Sequence, residues 1–172
     1  MGYLKVIIGC MFAGKTTELL RYAREFKSAG KSVLLINHSS DTRYDKNCIK
    51  THDGDYEYSA SVEYLRDVNI QNHQVIIIDE GQFFSDLFDY VTMWADNLDV
   101  TIIVAGLSGN SQREPFGDIL RLIPHADEIQ QLTTRCGFCD SRAIYSKFIG
   151  TGTPGVGGTE SYMQVCRNHL IL

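Results

Sequence analysis

Gly9-Cys10-Met11-Phe12-Ala13-Gly14-Lys15-Thr16 is the stretch whose reading decides the fold. It satisfies the pattern Gly-x-x-x-x-Gly-Lys-Ser/Thr in full. Upstream lies a short apolar run, Leu4 to Ile8, which reads as a buried parallel strand. Downstream, from Lys15 to Ala29, the spacing turns helical. Leu19, Leu20, Ala23 and Phe26 share one face, Arg21, Arg24, Glu25 and Lys27 the other, and Gly30 supplies a stop. Ser32 to Ile36 is a second apolar strand. Strand, helix and strand within about thirty residues form a βαβ unit, which predicts a parallel sheet with right-handed crossovers.

Working outward, Val75 to Ile78 and Val100 to Ala105 read as two more buried strands. A helix over Asp86 to Asn97 turns Leu87, Val91 and Trp94 toward the sheet, and Gln130 to Thr134 reads as a further strand. Residues 37–73 are polar with weak periodicity and read as loops with one short helix near Ser61 to Arg66. The predicted class is α/β: a P-loop nucleotide-binding sheet flanked by helices, over residues 1–134. The character changes at Arg135. Residues 135–172 carry paired cysteines and alternating stretches at Ala143 to Phe148 and Glu160 to Val165. A glycine-rich run, Gly150 to Gly158, joins them, so this part reads as two short strands with a flexible loop.

Composition bounds the partners. A chain of 172 residues, 44% hydrophobic, suits one compact domain with a small appendage. Lys plus Arg number 16 against 21 Asp plus Glu, a formal net charge of −5, which argues against a groove tracking a nucleic-acid backbone. No apolar run approaches bilayer-spanning length, and the start lacks the basic residues, apolar stretch and cleavage site of a signal peptide. The expectation is a soluble cytoplasmic protein without membrane or nucleic-acid partners. The chain stops three residues past His169, so control through a long C-terminal tail is not expected.

The motif has a chemistry. Gly9, Met11, Phe12, Ala13, Gly14, Lys15, Thr16 and Thr17 are the candidate ATP-binding residues: backbone N–H groups and the helix start cradle the phosphates, and Lys15 reaches the β and γ phosphates. The Thr16 hydroxyl is a candidate Mg²⁺ ligand. Ile76-Ile77-Ile78-Asp79-Glu80 is an apolar strand ending in two carboxylates. In a parallel sheet that end lies on the rim that also carries the P-loop. Asp79 is then placed to hold Mg²⁺ through water, and Glu80 to position and deprotonate an attacking hydroxyl. This much says phosphoryl transfer from a nucleoside triphosphate; water, a small alcohol or a phosphate remain open as acceptor.

Cys136-Gly137-Phe138-Cys139 and Cys166-Arg167-Asn168-His169 are two two-ligand knuckles. Four such ligands in pairs suit tetrahedral Zn²⁺, and a closed four-ligand set is structural. The zinc would tie down the base of the glycine-rich flap. Cys10 and Cys48, outside these two knuckles, read as ordinary small buried or loop residues.

Taken together the chain resembles the zinc-containing (type II) thymidine kinases. The resemblance is carried by Gly9 to Leu20, Asp41-Thr42-Arg43-Tyr44, Thr51-His52-Asp53, Ile78 to Phe84, Gln112-Arg113-Glu114-Pro115-Phe116-Gly117, and Gly157-Gly158 through Tyr162 to Cys166. It implies transfer of the ATP γ-phosphate to the thymidine 5′-hydroxyl, with Mg²⁺ and a structural Zn²⁺. It implies Glu80 as base and Arg43 as the catalytic cation near the acceptor hydroxyl, with Asp41 in support. Met11, Leu107, Phe116 and Tyr162 would wall the nucleoside pocket, while Phe84 reads equally as pocket wall or core. Gln82 would help order the water shell of the metal. The flap from Lys147 to Tyr162 would act as a lasso that holds the base through the main chain of Gly155, Val156 and Gly157. Ser146 would contribute its backbone, its side chain not being needed. A homotetramer and inhibition by the end product dTTP are further implications. The chain departs from the family at Ser108-Gly109-Asn110-Ser111, where Asp-Gly-Thr-Phe or Asp-Gln-Asp-Phe is usual. Ser111 thus stands where a pocket-side phenylalanine is expected, and Pro154-Gly155 where bulkier apolar residues are commoner. A looser pocket around the 5-methyl group follows.

Overall fold

Alternation along the apolar strands sorts the core into two layers. The computed structural model describes residues 2–41, 48–51, 54–155 and 157–171. Thr42, Arg43, Tyr44, His52, Asp53 and Val156, all quoted above, lie outside the described residues. The main sheet is built from β1 (Tyr3–Gly9), β2 (Val33–His38), β5 (Ala60–Val62), β6 (Val75–Ile78), β7 (Thr101–Gly106) and β8 (Glu128–Leu132). Its six strands run in the order β5-β2-β6-β7-β1-β8, every pairing parallel. Successive side chains point to opposite faces. Val75 and Ile77 therefore join Ile103 and Ala105 on one face, packed with Leu19, Leu20 and Ala23 of α1 (Lys15–Ser28). Ile76 and Ile78 join Ile102 and Val104 on the other, against Leu87, Val91 and Trp94 of α2 (Leu87–Asn97). Complete burial of each large aliphatic side chain contributes about 1.5–3 kcal/mol, so these two layers are the main source of stability.

The helices begin and end for local reasons. Glu18 in the first turn of α1 and Lys27 in its last oppose the ends of the helix dipole. At the C-terminus Gly30 N–H donates to Lys27 O and Lys31 N–H to Phe26 O, each at 3.0 Å, which closes the helix at the expected glycine.

The polar stretch after β2 holds more structure than its composition predicts. β3 (Cys48–Lys50) and β4 (Tyr56–Tyr58) form an antiparallel pair. The helix expected over Ser61 to Arg66 is absent. Ala60–Val62 instead adds a strand to the edge of β2, and only a 3-10 turn, Leu65–Asp67, follows. The unpaired edge of β2 offers ladder bonds at once, whereas an isolated helix of six residues cannot offset its nucleation cost. The Asp86 carboxylate accepts from the N–H groups of Leu65 and Arg66, both at 3.1 Å, and holds the turn. A further 3-10 segment, Ile119–His125, buries Ile119 and Leu122 against the α2 layer.

Beyond β8 the strands are short and antiparallel. β9 (Thr134–Arg135) pairs with β10 (Arg142–Ala143), and β11 (Tyr145–Phe148) with β12 (Tyr162–Val165), before a short α3 (Arg167–Ile171). The single alternating stretch from Ala143 to Phe148 divides at Ile144, so its two halves serve different partners. Cys136, Ala143, Val165 and Cys166 form a small apolar cluster separate from the two sheet layers. Among the described residues no helix is long and apolar enough to cross a membrane.

Candidate active site

Because the sheet is parallel, β1, β2, β6 and β7 all end on one rim, at Gly9, His38, Ile78 and Gly106. A cavity of about 380 Å³ opens there. Its floor is the loop between β1 and α1. Met11, Phe12, Ala13, Gly14, Lys15, Thr16 and Thr17 all line it, while Gly9 ends the strand beneath. Gly14 caps α1 in the left-handed region (φ 82°), a conformation that favours glycine. Lys15 is buried and its Nζ donates to Cys10 O at 2.9 Å, which keeps the ammonium inside the curl of the loop.

The acid pair stands opposite. β7 lies between β1 and β6 in the sheet, and Thr16 bridges that gap: its Oγ1 donates to Asp79 Oδ2 at 2.9 Å. Asp79 Oδ1 accepts from the Glu80 N–H, also at 2.9 Å. Both carboxylates are buried, at 5% and 7% exposure, and both line the cavity. Glu80 holds a left-handed backbone (φ 52°), an uncommon state for a residue with a side chain and one that tends to mark functional turns. Thr16 and Asp79 together offer hard oxygen donors of the kind Mg²⁺ takes.

The far walls come from three other parts of the chain. Asp41, Leu107 and Phe116 line the cavity, with Ser111 and Asn110 beside them. From the C-terminal part come Ser146, Gly155, Gly157 and Tyr162. Tyr162 is largely buried, packs against Phe148 at 5.3 Å, and its hydroxyl donates to Gly155 O at 2.5 Å, which closes the flap on itself.

The geometry bears on three of the expectations. Phe84 is core: it is 1% exposed, sits in the α2 layer and meets the His38 ring edge-on at 4.8 Å. The neighbouring Phe83 lines the cavity instead, edge-on to Phe116 at 5.6 Å. The Ser146 side chain does have a task, because its Oγ accepts from Met11 N–H at 2.9 Å and ties the phosphate loop to β11. Gln82 has its amide engaged elsewhere, with Nε2 donating to Glu80 Oε2 at 2.6 Å and Oε1 accepting from Leu107 N–H at 2.9 Å. Asn37, Cys48 and Ile49 also reach the cavity, although no motif marked them. Only Asn37 carried a signal, as a polar residue ending an apolar strand on the active rim. Arg43 and Val156 fall outside the described residues.

Away from the cavity, the donor atoms of Cys136, Cys139, Cys166 and His169 lie within 4.8 Å of one another. The three sulfurs are 3.3–3.5 Å from His169 Nδ1, and Cys139 Sγ is 3.8 Å from Cys166 Sγ. A tetrahedral zinc with Zn–S of about 2.3 Å and Zn–N of about 2.0–2.1 Å needs edges of about 3.8 Å between sulfurs and about 3.5 Å from sulfur to nitrogen. The donor set fits, and it suggests zinc. Burial opposes ionisation of Cys136, but the N–H groups of Phe138, Cys166 and Cys139 aimed at its sulfur outweigh that and bring the pKa down to about 6. Thiolate, the form that binds metal, is then accessible at neutral pH.

A family model described as "Thymidine kinase" matches residues 2–170. The thymidine kinase of Yaba monkey tumor virus is 41% identical over 170 residues, covering 96% of this chain and 93% of that protein. Thymidine kinase a of Arabidopsis thaliana is 39% identical over 179 residues, 99% of this chain and 75% of the plant protein. The human protein named "Thymidine kinase, cytosolic" is 42% identical over 170 residues, 96% of this chain and 72% of its own length.

Proposed function

The chain belongs to the thymidine kinase family and is a thymidine kinase, and on that premise we propose how its residues divide the reaction. ATP and thymidine are the substrates. The thymidine 5′-oxygen attacks the γ-phosphorus; the new O–P bond forms as the bond to the β,γ-bridging oxygen breaks, and ADP leaves with that oxygen. Glu80 takes the hydroxyl proton. The N–H groups of the Met11 to Thr17 loop hold the phosphates, and Lys15 offsets charge on the β and γ groups. Thr16 and Asp79 would hold Mg²⁺, which would supply positive charge to offset that developing on the transferred group. By the family resemblance Arg43 would supply a cation to the transferred group, with Asp41 in support. Met11, Leu107, Phe116 and Tyr162 enclose the nucleoside, with Ser146 and the main chain of Gly155, Val156 and Gly157 along its base.

One observation carries this reading: Glu80 lines the same cavity as the phosphate loop, Phe116 and Tyr162. The distinguishing experiment is Glu80→Gln. It is expected to lower kcat by about a hundredfold to ten-thousandfold while ATP binding persists, and near-parent turnover would exclude Glu80 as the base.

The separate apolar cluster around Cys136 and Cys166 supports a division into a nucleotide-binding unit, residues 1–134, and a zinc-braced lasso unit, residues 135–172. Zinc is structural there, because four protein ligands leave no open position. A homotetramer, inhibition by dTTP and a cytoplasmic location rest on the family resemblance, the last supported by the human relative's name.

A further inference from the structure

We propose that Gln82 is a positioning residue that sets the rotation of the Glu80 carboxylate and locks it in register with the nucleoside wall. The proposal rests on Glu80 being the base. A carboxylate at the end of a glutamate side chain has three soft torsions, and a base must present its oxygen within hydrogen-bond reach of the hydroxyl it deprotonates. A bond to Gln82 limits that freedom: Gln82 Nε2 donates to Glu80 Oε2 at 2.6 Å, a short, charge-assisted contact. A carboxylate keeps acceptor capacity after one such bond, so the contact orients the group without consuming it.

Gln82 is itself held tightly. It is 3% exposed, and its Oε1 accepts from the N–H of Leu107, 25 residues along the chain and the first residue of the nucleoside wall after β7. Acceptor and donor of the amide are thereby assigned as a pair, and a flipped amide would lose both bonds. Two glycines make room for it. A Cβ on Gly106 would stand 2.3 Å from Gln82 Oε1, and one on Gly117 would stand 2.2 Å from Gln82 O. Gly106 thus leaves room for the side-chain amide and Gly117 for the backbone of the same residue, so Gln82 is packed against both ends of the wall segment. Any shift of that wall moves Gln82, and through it the base. The device places Glu80 relative to the surface that holds the acceptor sugar, not merely relative to β6.

The test uses Gln82→Met, which keeps the length and apolar stem but removes donor and acceptor, alongside Glu80→Gln and the double variant. Misplacing a reacting group by about 1 Å can cost about a hundredfold. The expected result for Gln82→Met is a fall in kcat of about tenfold to a hundredfold, with the KM for ATP near that of the parent. A double variant no slower than Glu80→Gln alone is also expected, since a misplaced base matters only while the base is present. Gln82→Met with kcat close to the parent's, in a background where Glu80→Gln is inactive, overturns the role of Gln82 and leaves Glu80 as base. Losses that multiply in the double variant, or a Gln82→Met loss matched by lost ATP affinity, assign Gln82 to structure alone. Near-parent turnover of Glu80→Gln removes the base and this proposal with it.

Discussion

Ser111 lines the cavity at a position where the family resemblance leads one to expect a phenylalanine, and Asn110, Pro154 and Gly155 line the same cavity. A hydroxymethyl group in place of an aromatic ring offers less apolar wall, so a looser fit around the pyrimidine 5-position is expected. The parent enzyme is therefore expected to phosphorylate 5-bromo- and 5-ethyl-deoxyuridine with kcat/KM close to that for thymidine. Ser111→Phe should restore discrimination, by about tenfold or more if about 1.5–3 kcal/mol of aromatic contact returns. Competition among the three nucleosides measures this; sharp rejection of the 5-ethyl analogue by the parent would end the argument. At this scale the reactive groups were readable from the sequence, because a phosphate loop and an acid pair must have particular side chains at particular spacing. The assignment of Gln82 was not readable, since its partner Leu107 is brought near only by the pairing of β6 with β7.

The bond from Met11 N–H to Ser146 Oγ joins the phosphate loop of the sheet to the C-terminal hairpin. Both residues are buried, so Ser146→Ala strands a backbone donor away from water. The cost is expected to be about 1–3 kcal/mol, read as a lower urea midpoint, together with a higher KM for ATP because the loop loses its outer tie. An unchanged midpoint and KM would show that water replaces the hydroxyl. The apolar strands and both long helices were legible because burial imposes a period of two or of 3.6 that composition cannot hide. The hairpin of β3 and β4 carried a signal too, Asp53-Gly54 between alternating residues, diluted by a polar neighbourhood. β5 was illegible in principle: Ala60-Ser61-Val62 becomes a strand only because the edge of β2 is there to pair with. The limits of β8, two residues earlier than expected, follow from Thr134 leaving the sheet to join β10.

For the molecule as a whole, the four-donor cluster sits beneath the strands that carry the flap: Lys147 of β11 donates from Nζ to His169 O at 2.9 Å. Metal analysis is expected to find one zinc bound by the cluster of three cysteines and His169 in each chain. Stripping it should raise the KM for thymidine more than that for ATP, because β11 and β12 lose their anchor while the sheet keeps its own core. A zinc-free chain with parent kinetics for both substrates would contradict the bracing role. The two binding surfaces also differ in when they come into being. Every strand of the main sheet has been made once the ribosome passes Leu132, whereas Tyr162 and the glycines that meet it arrive some thirty codons later. A chain cut between those points would keep the phosphate loop and the acid pair but lack Ser146, Gly155, Gly157 and Tyr162, so its cavity would miss the part of the wall that is made last.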